Sequence, residues 1–161
     1  MLSKDFLNGI EFELQNRAFA LKAITRISNR MQGTPEHVFW NAYERLENFN
    51  TAIYSAYAEK LAVDATPSFF TKLKASTLSS TPSFLLDELL KLVYSKTKVY
   101  MEDLKRVRAL GPVEDSKFLD YMIAQEQVQI EMMELAIKKQ FNEIKPKIDQ
   151  FLLMYKDKKL V

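Results

Sequence analysis

Apolar residues at Phe6, Ile10, Leu14, Ala18, Leu21, Ile24, Ile27 and Met31 recur every three or four positions, the spacing that lines one face of an α-helix. They predict an amphipathic helix over 3–32, closed by Gly33. Thr34-Pro35 then offers an N-cap and a proline at the first helical position. The stripe Phe39, Ala42, Leu46, Phe49, Ile53 and Ala56 extends that second helix over 34–62. A third helix, 82–110, opens at Pro82, carries Leu85, Leu89, Leu92, Val99, Leu104 and Val107, and is closed by Gly111-Pro112. The fourth, 114–141, has the heptad stripe Leu119, Met122, Glu126, Gln129, Met133, Ala136 and Gln140. Pro146 opens a tail helix over 146–157 with Ile148, Phe151, Leu152 and Tyr155.

Short turns join helices one to two and three to four, which predicts two antiparallel hairpins. Between the hairpins, residues 63–83 break the pattern with Thr66-Pro67-Ser68 and Ser79-Ser80-Thr81-Pro82 around a short helical stretch holding Phe69, Phe70, Leu73 and Leu78. This segment is expected to cross from one hairpin to the other. The halves also echo each other: Leu14 aligns with Val93, Phe39 with Phe118, Glu47 with Glu126 and Asn50 with Gln129.

At 161 residues the chain has the size of one domain, with a single core. Three Gly and five Pro leave it rich in helix formers. With 23 basic and 21 acidic side chains spread along every segment, no nucleic-acid surface is indicated. The absence of cysteine removes disulfides, thiolate nucleophiles, iron–sulfur clusters and zinc–thiolate sites. The N-terminus has no apolar signal core, and no apolar run reaches the roughly 20 residues of a membrane span. The location expected from this is cytoplasmic. No glycine-rich phosphate loop or nucleotide fingerprint occurs, and no nucleophile and base can be assembled around His37, the sole histidine, placed at the start of helix two.

Polar residues interrupt the core stripes. Glu126 and Gln129 lie three apart within the stripe of helix four, and Glu47 and Asn50 repeat the spacing on helix two beside Tyr43, Tyr54 and Tyr57. Burying such groups costs several kcal/mol unless they are paired. A buried polar network that fixes helix register accounts for them without any ligand. Tyr43, Tyr54 and Tyr100 are candidates to line a cavity. Trp40 and the methionines Met101, Met122, Met132, Met133 and Met154 read as packing residues.

The run Leu119-Asp120-Tyr121-Met122-Ile123-Ala124-Gln125-Glu126-Gln127-Val128-Gln129-Ile130-Glu131-Met132-Met133-Glu134-Leu135 resembles the last bundle helix of the ferritin-like superfamily, including bacterioferritins and rubrerythrins. The resemblance implies an up-down four-helix bundle with one long crossover and a short fifth helix. In that family a Glu-x-x-His pair on each of helices two and four, with a Glu from each of helices one and three, holds two iron or manganese ions. Here the pairs read Glu47-x-x-Asn50 and Glu126-x-x-Gln129, so both histidines are amides. Folding the hairpins places Arg17 level with Glu47 and Lys96 level with Glu126. These cations, if they point inward, would neutralise the carboxylates where the family uses metal. Glu13, Glu88 and Glu102 are the remaining carboxylate candidates, and finding all three on the solvent face would support a metal-free core.

The preferred reading is a metal-free ferritin-like bundle that works by binding, with no cofactor and no catalytic residue. It is expected to form a homo-oligomer, a dimer first, or to meet a protein partner. One alternative is a variant di-metal carboxylate oxidoreductase or iron-binding protein using Glu47 and Glu126, with weak iron or manganese affinity. The other is an unrelated helical adaptor with an exposed apolar groove. The lysine-rich tail, with Lys145, Lys147, Lys156, Lys158 and Lys159, is expected to dock on protein, either its own bundle or a second subunit, in preference to an anionic membrane.

Overall fold

The computed structural model describes residues 2–64 and 75–161. Among these the regular structure is helical: α1 (Lys4–Arg30), α2 (His37–Leu61), α3 (Leu86–Leu110), α4 (Ser116–Ile137) and α5 (Phe141–Tyr155), with helical residues at 75–79 and 3-10 turns at Ser83–Leu85 and Val113–Asp115. No described helix is long and apolar enough to cross a membrane.

The boundaries follow local chemistry. The Ser3 side chain accepts from the Phe6 amide and caps α1. Gly33 sits at φ +83 in the turn that follows, where a side chain would be strained. Thr34 does not cap α2 as the sequence suggested. Its hydroxyl donates back to the Met31 carbonyl and tightens the end of the preceding turn, and α2 starts at His37. At Gly111 an added Cβ would meet the buried side-chain tips of Leu119 and Phe6, so the turn from α3 to α4 packs closely there. α4 ends short of the expected 141: Lys139 turns left-handed at φ +58 and the Gln140 amide closes back on the Leu135 carbonyl. α5 therefore starts at Phe141, and Pro146 falls inside it instead of opening it.

Two apolar clusters fill the ends of the bundle. One joins Ile24 and Ile27 of α1, Phe39 and Leu46 of α2, Leu86 and Leu90 of α3, and Met132 and Met133 of α4. The other joins Phe6 and Ile10, Tyr54 and Tyr57, Leu104, and Phe118 and Met122 from the opposite ends of the same four helices. Hence α1 and α4 run one way while α2 and α3 run the other, so α2 ends and α3 begins at opposite ends of the bundle. Helix neighbours around the ring are α1–α2, α2–α4, α4–α3 and α3–α1. Of the connecting segment, Ala75 is buried and Leu78 lines a cavity together with Phe19 of α1 and Leu89 and Val93 of α3. Phe69, Phe70 and Leu73, expected in a short helix, lie outside the described residues.

The tail helix docks on its own bundle. α5 lies against α2 and α4, sinks Ile144 and Ile148 to 0% exposure, and is tied at its rim by Arg45–Asp149 at 2.7 Å and Lys147–Glu131 at 2.6 Å.

Candidate functional site

Between the two apolar clusters the core is polar. The α1 stripe passes through Glu13 and Arg17 at mid-helix, α2 contributes Glu47 and Asn50, and α4 contributes Gln125, Glu126 and Gln129. All seven are buried, Arg17 being the most accessible at 9% exposure. The guanidinium stands at the centre. Its Nη1 donates to Glu47 Oε1 at 2.6 Å and to Gln125 Oε1 at 3.3 Å. Its Nη2 lies 3.4 Å from Glu126 Oε2, and its Nε 3.2 Å from Glu13 Oε1 without hydrogen-bond alignment.

Gln125 ties the amides to the charges. Its Oε1 accepts from Arg17, Asn50 and Gln129, and its Nε2 donates to Glu126 Oε2 at 3.2 Å and Glu13 Oε1 at 3.4 Å. Gln129 also donates to Glu47 Oε1 at 3.2 Å. Tyrosines ring the cluster as donors: Tyr43 to Gln129, Tyr54 and Tyr100 to the two oxygens of Glu13, and Tyr121 to Asn50. Burial above all, and then nearby carboxylates, raise the pKa values of Tyr43, Tyr54 and Tyr100, so these hydroxyls stay neutral donors. A second node lies at one end of the bundle, where Tyr57 and Lys60 of α2 both donate to buried Asp115 ahead of α4.

One guanidinium thus faces three carboxyl groups. Burial works against the Arg17 charge, but Glu13, Glu47 and Glu126 outweigh it and hold its pKa well above the ordinary value. Burial is also the largest influence on Glu47 and Glu126, pushing both from 4.5 up to about 7 against the pull of Arg17. Glu47 Oε2 is sealed in the core with no hydrogen-bond partner among the described residues. Between about pH 4.5 and 7 the folded protein retains protons that the unfolded chain has released. Folding stability is therefore expected to fall as pH rises through that window, by up to about 1.4 kcal/mol per pH unit for each group. Urea midpoints should be higher at about pH 5 than at about pH 8, and a Glu47→Gln/Glu126→Gln double variant should flatten the difference. An equally steep profile in the double variant would contradict this assignment.

The structure brings together Glu47, Asn50, Glu126, Gln129 and Arg17, as the sequence suggested. It does not bring in Lys96, which is exposed at the mouth of a side cavity because its long stem carries the ammonium to water. Glu88 and Glu102 are exposed, pairing with Lys91 and Lys105. Glu13 is not on the solvent face; it is 1% exposed, so only two of the three spare carboxylates lie outside. Tyr43 and Tyr100 line the side cavity, whereas Tyr54 does not and is held inside by Glu13. Gln125 is the participant the sequence reading passed over, although its i, i+4 relation to Gln129 places the two amides on adjacent turns of one face.

This donor set does not fit the di-metal centre implied by the resemblance. Arg17 stands among the carboxylates of α1, α2 and α4, and α3 offers the hydroxyl of Tyr100 where a fourth carboxylate would be required. No group of three or more His, Cys, Asp or Glu side chains among the described residues has a metal-holding arrangement. No family model, curated protein or solved structure matches the chain.

Proposed function

We propose that this chain is a ferritin-like bundle in which the Arg17 guanidinium takes the place of the metal ions, and that it works by binding instead of redox catalysis. The observation carrying this reading is the contact of Arg17 with carboxylates from three helices, 2.6 Å from Glu47 and 3.4 Å from Glu126. The order of helix directions, with α2 ending and α3 beginning at opposite ends of the bundle, supports the ferritin-like part. Amides at both expected histidine positions support the loss of metal. A fixed internal cation satisfies part of the carboxylate charge without open coordination positions, and so removes the vacancy that oxygen chemistry needs. Exposed Leu92 and Val99, one heptad apart on α3, support an assembly through that face, as a homodimer or with a protein partner.

The test is to load the purified chain aerobically with ferrous iron, and separately with manganese and zinc, then desalt it and measure metal content. Background metal in every sample is the expected result. Near-stoichiometric iron or manganese, lost in Glu126→Ala, would overturn the reading in favour of a carboxylate metal protein.

A further inference from the structure

Where α2 and α3 begin and α4 turns into α5, a cavity of about 230 Å³ opens at the end of the bundle. Four aromatic residues line it: Phe39 and Trp40 of α2, both buried, Phe141 at the start of α5, and Phe84 ahead of α3, which is 81% exposed. Its charged lining among the described residues is Glu36, Asp87 and Lys139. The volume lies below the roughly 300–1,000 Å³ of drug-sized sites and suits one small head group.

The charges select the sign of that group. Lys139 is the chain's own cation in the cavity wall. Its backbone is left-handed at φ +58, a conformation few residues other than glycine take. Its ammonium donates to both oxygens of Asp87, at 2.7 and 2.8 Å, and lies 5.8 Å from the centre of the Phe141 ring. Glu36 is 3.8 Å from the same ammonium, beyond hydrogen-bond reach, and has no other ion pair among the described residues. Two carboxylates thus share one ammonium, and the less engaged of them stands beside aromatic rings. An anionic head would meet like charge, and a neutral one would leave Glu36 uncompensated. A primary ammonium would have to compete with Lys139 for Asp87. A trimethylammonium group needs no hydrogen bond and is held by ring faces and nearby negative charge.

We propose that this cavity binds a small trimethylammonium compound, its head group among Trp40, Phe84 and Phe141 and next to Glu36, with Lys139 as the resident cation that limits affinity. None of the lining residues belongs to the Arg17 cluster, so the site does not depend on the metal-free reading. The test is titration of the full chain with choline chloride, with 3,3-dimethylbutan-1-ol as the uncharged isostere and sodium chloride as the ionic-strength control. Binding is read from the fluorescence and the indole N–H resonance of Trp40, the sole tryptophan. Choline should change both signals saturably and bind at least about fivefold more tightly than the alcohol, the scale of one cation–π contact. Phe84→Ala removes an exposed ring and Glu36→Gln removes the spare charge; each should weaken choline binding by about threefold or more. Lys139→Asn removes the resident cation with a residue type that accepts the left-handed backbone. It should tighten choline binding, the opposite of the effect expected if Lys139 only held the turn in place. Equal binding of the alcohol, unchanged affinity in Phe84→Ala or Glu36→Gln, no tightening in Lys139→Asn, or no response of Trp40 to choline would overturn the proposal. Metal uptake in the loading experiment would sink the metal-free reading and leave this site untouched, whereas failure of choline would sink this inference alone.

Discussion

Replacing Arg17 by methionine is expected to cost about 3–5 kcal/mol of folding stability near neutral pH, because it leaves buried carboxylates without their cation. That is a large part of the roughly 5–15 kcal/mol that keeps a domain folded. The loss should shrink as the pH falls to about 5, since Glu47 and Glu126 can then meet the deficit by binding protons. Methionine preserves much of the side-chain length, so the comparison isolates charge more than volume. Urea unfolding of both chains across pH measures this. A variant as stable as the parent at about pH 8 would contradict a central role for the guanidinium.

The second large effect lies in the fifth helix. Ile148→Ala is expected to destabilise the chain by about 2–5 kcal/mol, the range for truncating a fully buried aliphatic side chain. Ile148 has 0% exposure and packs in the same apolar cluster as Phe39, Trp40 and Met132. The rim pairs Arg45–Asp149 and Lys147–Glu131 are partly exposed and should contribute at most about 1 kcal/mol each. Ile148→Ala should therefore exceed Asp149→Ala several-fold in thermal or urea unfolding. A tail whose main role was to meet a second subunit would give the opposite: little loss in the monomer's own unfolding and a change in assembly.

The helices were legible because their apolar stripes keep one period and because Gly33 and Gly111-Pro112 punctuate them. The end of α4 was harder to read, since the heptad runs on to Gln140 and the left-handed turn at Lys139 uses a residue with no conformational signature. Pro146 misled for a related reason: a proline that usually opens a helix is tolerated here in the second turn, where Ile144 and Ile148 anchor both sides of it. Arg17 was found through its level with Glu47. Lys96 was placed by the same geometry and failed, because level along a hairpin does not fix which way a flexible side chain turns. Gln125 escaped because α4 buries two stripes, one towards α3 and the other towards α2 and α5. Periodicity on a helix buried on two sides no longer separates core from surface.

The proposed function requires a core balanced by Arg17 and by protons in place of metal. The most direct measurement is a pH titration of the ¹³C carboxyl resonances in glutamate-labelled protein, with and without added manganese. Glu47 and Glu126, assigned by Glu47→Gln and Glu126→Gln, should give protonated signals that titrate near 7 and keep their linewidths when manganese is present. Resonances ionised well below that pH, broadened selectively by substoichiometric manganese, would contradict the account and restore a metal centre.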